Sequence, residues 1–210
     1  PVRAQVRSPF NYPENTRVYI ITDVNKNDMA QVATGYRALF EASGGGALGL
    51  FTAIQRLRAV HQTLAPAMEA AGLPLYAQHA DGLDPATLVD IFRGERDACL
   101  LGTDAIRDGV DVPGDALRLV VFDRVPWPRP SLIHRARRQR FGGQAYDDEL
   151  IRLRLRQAFG RLVRRADDRG VFVMLDPMMP SRLGGAFPEG VEINRVGLAE
   201  AVAELREFFG

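Results

Sequence analysis

Two arginines and a glutamine late in the chain have the residue types and spacing of a polyphosphate-binding site. Gln157, Arg161 and Arg164 follow one another at intervals of four and three residues, which would place them on one face of a helix. Arginine stays protonated and offers a rigid fork of donors that fits phosphate oxygens. Gly160 removes a side chain from the predicted helix, which indicates close packing or the close approach of a ligand. A solvated basic helix is the alternative interpretation.

Positive charge is concentrated in the same part of the chain. Residues 118–169 contain fourteen arginines and six acidic residues, a net charge of +8, whereas the whole chain carries only +1. A local excess of this size is typical of a surface that contacts phosphates, although a solvated helix face is an open alternative for the densest run. That run consists of Arg135, Arg137, Arg138 and Arg140.

The elements that must position these side chains alternate between apolar runs and amphipathic helices. Strands are predicted at 17–21, 47–51, 75–77, 98–102, 119–123 and 171–176. Helices are predicted at about 29–40 with Asp28 as N-cap, at about 54–68, after Asp84-Pro85, and at about 132–141, 148–165 and 198–208. This alternation predicts an α/β fold with a mostly parallel sheet and helices on both faces. The chain shows neither a repeat nor a linker, so we expect one domain spanning residues 1–210.

Residues that follow the predicted strands are candidates for ligand contacts, because ligands of such sheets gather at the carboxyl ends of the strands. Thr52 follows one strand, and Thr103 with Asp104 follows another. The only tryptophan, Trp127, lies between two prolines after a third strand. Its ring is either a surface for stacking a base or an anchor that packs the loop.

Several classes of protein are disfavoured by what the sequence lacks. A single cysteine, Cys99, excludes an internal disulfide and a multi-cysteine metal or iron–sulfur site within this chain, and its apolar setting predicts an inert buried thiol. No apolar run reaches the roughly 18 residues of a membrane helix, and no leader begins the sequence, so we expect a cytoplasmic protein that does not bind membranes. The absence of an initial methionine indicates a fragment of a longer protein.

The segment 157–164, Q-A-F-G-R-L-V-R, resembles motif VI of superfamily-two helicases in the DinG/XPD form, Q-x-x-G-R-x-x-R. Residues 101–114 resemble motif V of that family, and residues 46–53 resemble its motif IV. Shorter matches occur at 8–12, 125–130 and 175–177. Any one match is weak, but all of them occur in the family's order, so their combination is specific.

The resemblance implies that this chain is the second RecA-like motor domain of an ATP-dependent DNA helicase. ATP and Mg²⁺ would be held mainly by a missing first motor domain, since no G-x-x-x-x-G-K-[ST] loop occurs here. By position in motif VI, Arg161 and Arg164 would act as arginine fingers on the γ-phosphate. Gln157 would orient them or the attacking water. The isolated fragment is therefore expected to be inactive as an ATPase.

Three further residues are implied to lie near the nucleotide. Asp111 in motif V would accept a hydrogen bond from the ribose or couple the nucleotide to DNA, and a loop aspartate that caps local amides is the alternative. Gly109 lies in the motif V match and Gly160 in the motif VI match, and we expect both at the nucleotide.

Single-stranded DNA and the N-terminal motor domain of the same polypeptide are the expected partners. Thr52, Thr103 and Asp104 would contact the DNA backbone, which needs little sequence information. Arg135 and Arg138 would add contacts from their helix. The resemblance further implies movement from 5′ to 3′, and an iron–sulfur cluster is possible only in the missing part.

Two other hypotheses compete with that of a helicase domain. The first is a non-catalytic, arginine-rich nucleic-acid-binding domain that has a helicase-like fold. The second is a Rossmann-type nucleotide enzyme, which fits the alternation of strands and helices. It fails on its motif, because Gly44-Gly45-Gly46 precedes a strand instead of joining a strand to a helix.

Overall fold

A parallel sheet forms the centre of the molecule. The computed structural model describes residues 9–109, 111–112 and 114–210. The strands are β1 (Thr16–Ile21), β2 (Ala47–Leu50), β3 (Leu75–Ala77), β4 (Cys99–Gly102), β5 (Leu119–Phe122), β6 (Gly170–Met174) and β7 (Ile193–Val196). Within the described ranges these strands form one seven-stranded sheet in the order β3-β4-β2-β5-β6-β1-β7, and neighbouring strands pair in parallel. The carboxyl ends of the strands therefore lie along the same edge.

Helices cover both faces of this sheet. They are α1 (Tyr12–Asn15), α2 (Met29–Ser43), α3 (Ile54–Ala70), α4 (Pro85–Gly94), α5 (Asp104–Gly109), α6 (Leu132–Phe141), α7 (Gln144–Phe159) and α8 (Leu198–Phe209). Successive strand residues point to opposite faces, so Tyr19 and Ile21 join the core under α2, α3 and α8. Val18 and Ile20 join the core under α4, α5 and α7. The predicted α/β fold, with a parallel sheet and helices on both sides, is confirmed.

The six predicted strands are all present, with ends within two residues of the prediction. The edge strand β7 was missed. Its sequence, I-N-R-V, carries Asn194 and Arg195 in the middle and none of its residues is fully buried. A half-solvated strand of four residues lacks the apolar run that identified the others.

The single cysteine was predicted to be an inert buried thiol. Cys99 is fully buried in β4, and burial raises the pKa of its thiol to about 12. The thiol therefore stays protonated near neutral pH and is a poor nucleophile.

In the described part of the chain, none of the helices combines the length and the apolar character that crossing a membrane requires.

The N-cap predicted at Asp28 is present, and it gives a testable expectation for stability. The carboxylate of Asp28 accepts hydrogen bonds from the backbone N–H groups of Ala30 (3.0 Å) and Gln31 (3.3 Å) at the start of α2. We expect Asp28→Ala to lower the free energy of unfolding by about 1 kcal/mol, because two N–H groups lose their acceptor. Urea unfolding followed by circular dichroism measures this change. Asp28→Asn keeps the cap oxygen and should lose much less; equal losses would contradict the capping role.

Candidate functional site

The residues predicted as arginine fingers lie in a loop and not on a helix. Helix α7 ends at Phe159, and the N–H groups of Arg161 and Leu162 then bond to carbonyl oxygens three residues back (3.2 and 3.0 Å). The prediction of a helix through residue 165, with Gln157 and both arginines on one face, is therefore wrong. Gln157 is in the last turn of α7, Gly160 is the C-cap, and the arginines follow it. We call residues 160–169 the arginine loop.

Apolar anchors hold the arginine loop against the core. Leu162 and Val163 are buried, as is Phe159 immediately before the loop. At the end of the loop, a Cβ atom on Gly170 would lie 2.7 Å from Cβ of Leu162, so glycine permits this close packing against the start of β6. The side chains of Gln157 and Arg164 remain exposed, and Arg161 is half-buried. The backbone of the loop is thus fixed while its polar side chains stay accessible.

The arginine loop meets the segment that carries the motif V resemblance. Arg161 donates a hydrogen bond from Nη2 to the carbonyl oxygen of Asp108 at 3.3 Å, across 53 residues of sequence. Arg164 forms an ion pair with Asp111, with 3.1 Å between Nη2 and Oδ1. The fold therefore brings together two segments that the sequence could connect only through their family resemblance. Of the motif V match, Val110 and Pro113 lie outside the described residues.

The other predicted nucleotide residues lie at the same place. Asp111 is exposed, and its carboxylate contacts Arg164, while its carbonyl oxygen accepts a hydrogen bond from Nε of Arg93 at 3.1 Å. Gly109 is exposed at the end of α5, and Gly160 is exposed at the end of α7. Two partly exposed guanidinium groups, one carboxylate and two exposed glycines thus lie on the two segments that contact each other.

A second candidate site is a cleft at the carboxyl ends of β2, β4, β5 and β6. Its volume is about 970 Å³, and Thr52, Thr103 and Asp104 all line it. Thr103 donates from both its backbone N–H and its hydroxyl to Oε1 of Gln78 (2.8 and 2.9 Å). Asp104 accepts a hydrogen bond from Arg107 at 2.9 Å. The structure thus groups the three loop residues that were predicted to contact DNA.

Four cationic residues that were not among the predicted DNA-binding residues also line the cleft, and they are Lys26, Arg124, Arg129 and Arg154. Trp127, predicted either to stack on a base or to anchor the loop, lies there too. Arg124 comes two residues after the end of β5, so the rule that selected Thr52 could have found it, whereas Arg129 lies farther along the same loop. Arg154 comes from the middle of α7, where nothing in the sequence indicates that it faces the cleft. Burial, followed by the nearby cation Arg107, lowers the pKa of Arg154.

A buried carboxylate organises one side of the cleft. Asp123 is fully buried and accepts hydrogen bonds from the N–H groups of Thr52 (3.2 Å) and Arg124 (2.8 Å). It also pairs with Arg56. Burial raises the pKa of Asp123, and the guanidinium of Arg56 opposes this rise. The carboxylate therefore ties the ends of β2 and β5 together and fixes the two loops that carry polar groups into the cleft.

Asp176 has the same role on the other side. It is 2% exposed and accepts hydrogen bonds from the N–H groups of Val125 (3.1 Å) and Met178 (3.0 Å). Nζ of Lys26 lies 2.9 Å from its carboxylate. The loops after β5 and β6 are thereby joined, and Lys26 is held at the cleft wall.

The arginine-rich helix α6 lies apart from the cleft. Of the described residues that line the cleft, none comes from α6. Arg138 is paired with Asp147 on α7, with 2.8 Å between Nε and Oδ2, and His134 lies 3.0 Å from the same carboxylate. Arg135 is exposed to solvent. The fold thus does not unite Arg135 and Arg138 with the three predicted loop residues.

The fold is RecA-like, and comparison with known proteins specifies the family. The helicase C-terminal domain family matches residues 36–193, so the chain belongs to that family. It is 34% identical over 194 residues to ATP-dependent helicase DinG of Mycobacterium tuberculosis, covering 87% of this chain and 28% of that protein. It is 33% identical over 190 residues to 3′-5′ exonuclease DinG of Bacillus subtilis, covering 84% of this chain and 20% of that protein.

A solved structure supports the same fold. Xpd4 of S. tokodaii superposes with a TM-score of 0.61 at 15% identity, over 88% of this chain and 39% of that chain. The resemblance to the C-terminal helicase domain of the DinG/XPD type is thereby confirmed. The chain spans less than a third of the two DinG relatives, 28% and 20% of their lengths.

Proposed function

We propose that this chain is the second motor domain of a longer, DinG-type, ATP-dependent DNA helicase. In this proposal residues 1–210 form one domain, and ATP binds between it and a first motor domain of the same polypeptide. The observation that carries the proposal is the meeting of the arginine loop with Asp108 and Asp111, at 3.3 and 3.1 Å, beside the exposed end of α7. The phosphate-binding loop, the Mg²⁺ ligands and any iron–sulfur cluster would belong to the rest of the longer protein.

The chemistry of the arginine loop fits a role in the transition state of phosphoryl transfer. Arg161 and Arg164 would direct fixed positive charge at the γ-phosphate, where negative charge develops as the bond to the leaving group breaks. Gln157, exposed one turn before them, would orient the attacking water or the guanidinium groups. Gly109 and Gly160 would let the nucleotide approach the backbone closely, and Asp111 would accept a hydrogen bond from the ribose.

The cleft would hold single-stranded DNA. Its cationic side chains and the hydroxyl of Thr52 suit phosphate contacts, which carry no sequence preference, and the ring of Trp127 is 38% exposed and open to base stacking. Arg135 on α6 would add an outlying contact. The pairing of Arg138 with Asp147 makes Arg138 the weaker candidate of the two. Movement from 5′ to 3′ is part of the proposal through the family resemblance.

The test is a comparison of the isolated domain with the longer protein. We expect the isolated domain, with Mg²⁺ and single-stranded DNA, to release no phosphate above the blank, because half of the catalytic site is absent. The longer protein should hydrolyse ATP when single-stranded DNA is added, and its DNA affinity should change with the bound nucleotide. Turnover by the isolated domain that survives repurification would contradict the proposal. If the DNA affinity of the longer protein is the same with and without ATP, the alternative hypothesis of a non-catalytic nucleic-acid-binding domain is favoured.

A further inference from the structure

We infer that Asp168 is a positioning residue for ATP hydrolysis, which it supports by holding the backbone of the arginine loop in place. The inference rests on the proposed function. Asp168 was not among the predicted site residues, and it lies four residues beyond Arg164 at the end of the loop.

The carboxylate of Asp168 bonds to the backbone of the arginine loop on the side that faces the core. One oxygen, Oδ2, accepts hydrogen bonds from the backbone N–H groups of Arg164 and Arg165, both at 2.8 Å. The N–H of Asp168 donates in turn to the carbonyl oxygen of Arg165 at 3.3 Å. The residue is 8% exposed, so these bonds are largely shielded from water. A charged acceptor with two donors in a dry setting is a strong local constraint.

Asp168 also faces the segment that the arginines contact. Its second oxygen, Oδ1, lies 3.9 Å from the point where a Cβ atom on Gly114 would stand. Gly114 begins the turn of 3₁₀ helix at Gly114–Ala116, three residues after Asp111. The carboxylate is therefore located beside the motif V segment, while its hydrogen bonds are made to the arginine loop.

The outer side of the loop has its own, weaker tether. Nδ2 of Asn15, at the end of α1, donates to the carbonyl oxygen of Ala166 at 3.0 Å. The guanidinium of Arg169 lies over the ring of Phe208, 4.1 Å from its centroid. The backbone that carries Arg161 and Arg164 is thus fixed at several points, with the innermost at Asp168.

This constraint matters because a guanidinium on a long side chain stabilises a transition state only where its backbone is held. Groups that act on developing charge must be preorganised to within a fraction of an ångström, and a misplacement of about 1 Å can cost a factor of 100 in rate. Loss of the Asp168 carboxylate would leave Arg164 present and charged but would let its backbone move. The defect should therefore appear in turnover and not in the binding of ATP.

The experiment uses the longer protein with Asp168→Ala, and with Asp167→Ala as a matched control that removes the neighbouring exposed carboxylate. We expect Asp168→Ala to lower kcat about 10-fold with KM for ATP unchanged. Affinity for ADP with aluminium fluoride should fall in parallel while affinity for ADP alone stays the same, a split that simple loss of stability would not produce. Asp168→Asn, which keeps an oxygen acceptor, should recover most of the turnover, and Asp167→Ala should match the parent.

The controls separate failure of this inference from failure of the proposed function. If Arg164→Ala abolishes turnover and a folded Asp168→Ala retains the parental kcat, the inference is overturned and the proposed function stands. If Arg164→Ala retains turnover, both fall. Should Asp168→Ala fail to fold, Asp168→Glu keeps the charge but displaces the acceptor oxygens by one methylene group. A fall in kcat at constant KM then supports the inference, and an unchanged kcat overturns it.

Discussion

Replacing either Arg161 or Arg164 by alanine in the longer protein should lower ATP turnover on the order of 1000-fold while ATP affinity changes little. The reason is differential binding, because the ground state of ATP would be held by the phosphate loop of the first motor domain. The two guanidinium groups would meet charge that is concentrated only in the transition state. Both side chains contact the motif V segment and neither is buried in the core, so the variants should fold. Turnover number and nucleotide affinity, measured for each variant, test this expectation.

Two further variants sharpen that experiment. Arg164→Lys should restore little activity, because an ammonium group cannot reproduce the planar fork of a guanidinium. Arg165→Ala removes the exposed side chain of the next arginine. Arg165 bonds to Asp168 through its backbone N–H and carbonyl groups, which the substitution keeps, so this variant should behave like the parent. If Arg161→Ala and Arg164→Ala turn over at rates near the parent, the two arginines are ordinary surface residues and the assignment of the nucleotide site is wrong.

The sequence was informative where side-chain periodicity and burial agree. Runs such as L-V-V-F in β5 are fully buried on both faces of the sheet, so their apolar character predicts them without further context. The caps at Asp28 and Asp84 follow from local hydrogen bonds to the next few residues. The edge strand β7 needed tertiary information, because its partly exposed residues pair with β1 alone among the described strands.

The geometry of the candidate site could not be predicted from the sequence. The spacing of Gln157, Arg161 and Arg164 fits a helix, yet the chain leaves the helix at Gly160. Burial of Leu162 and Val163 and the bonds to Asp168 compete with another helical turn, and no local pattern shows which arrangement is more stable. Contacts across 53 residues, such as Arg161 with Asp108, depend on the sheet order and so lie beyond local reasoning.

The structure and the distribution of charge along the sequence indicate different DNA-binding surfaces. The densest arginine run is on α6, whereas Arg124, Arg129 and Arg154 line the cleft together with Lys26. Charge density in sequence does not distinguish a solvated helix from side chains that converge on one concave surface. Convergence matters more for a flexible strand, because several phosphates can then be contacted at once.

Replacing Arg124 and Arg129 together by alanine should therefore weaken the binding of single-stranded DNA to this domain by on the order of 100-fold at low salt. Each hydrogen bond to a charged partner contributes about 1.5–3 kcal/mol, so two lost phosphate contacts account for that factor. The slope of log affinity against log salt concentration should become shallower by about 1.4, since each contact on a single strand contributes about 0.7. The matched control is Arg137→Ala with Arg140→Ala, which removes the same charge from exposed positions on α6. Fluorescence anisotropy with a labelled oligothymidine, repeated over a series of salt concentrations, measures both quantities. Equal losses in the two double variants would mean that only net charge matters, and a larger loss from the α6 pair would move the DNA-binding surface to that helix.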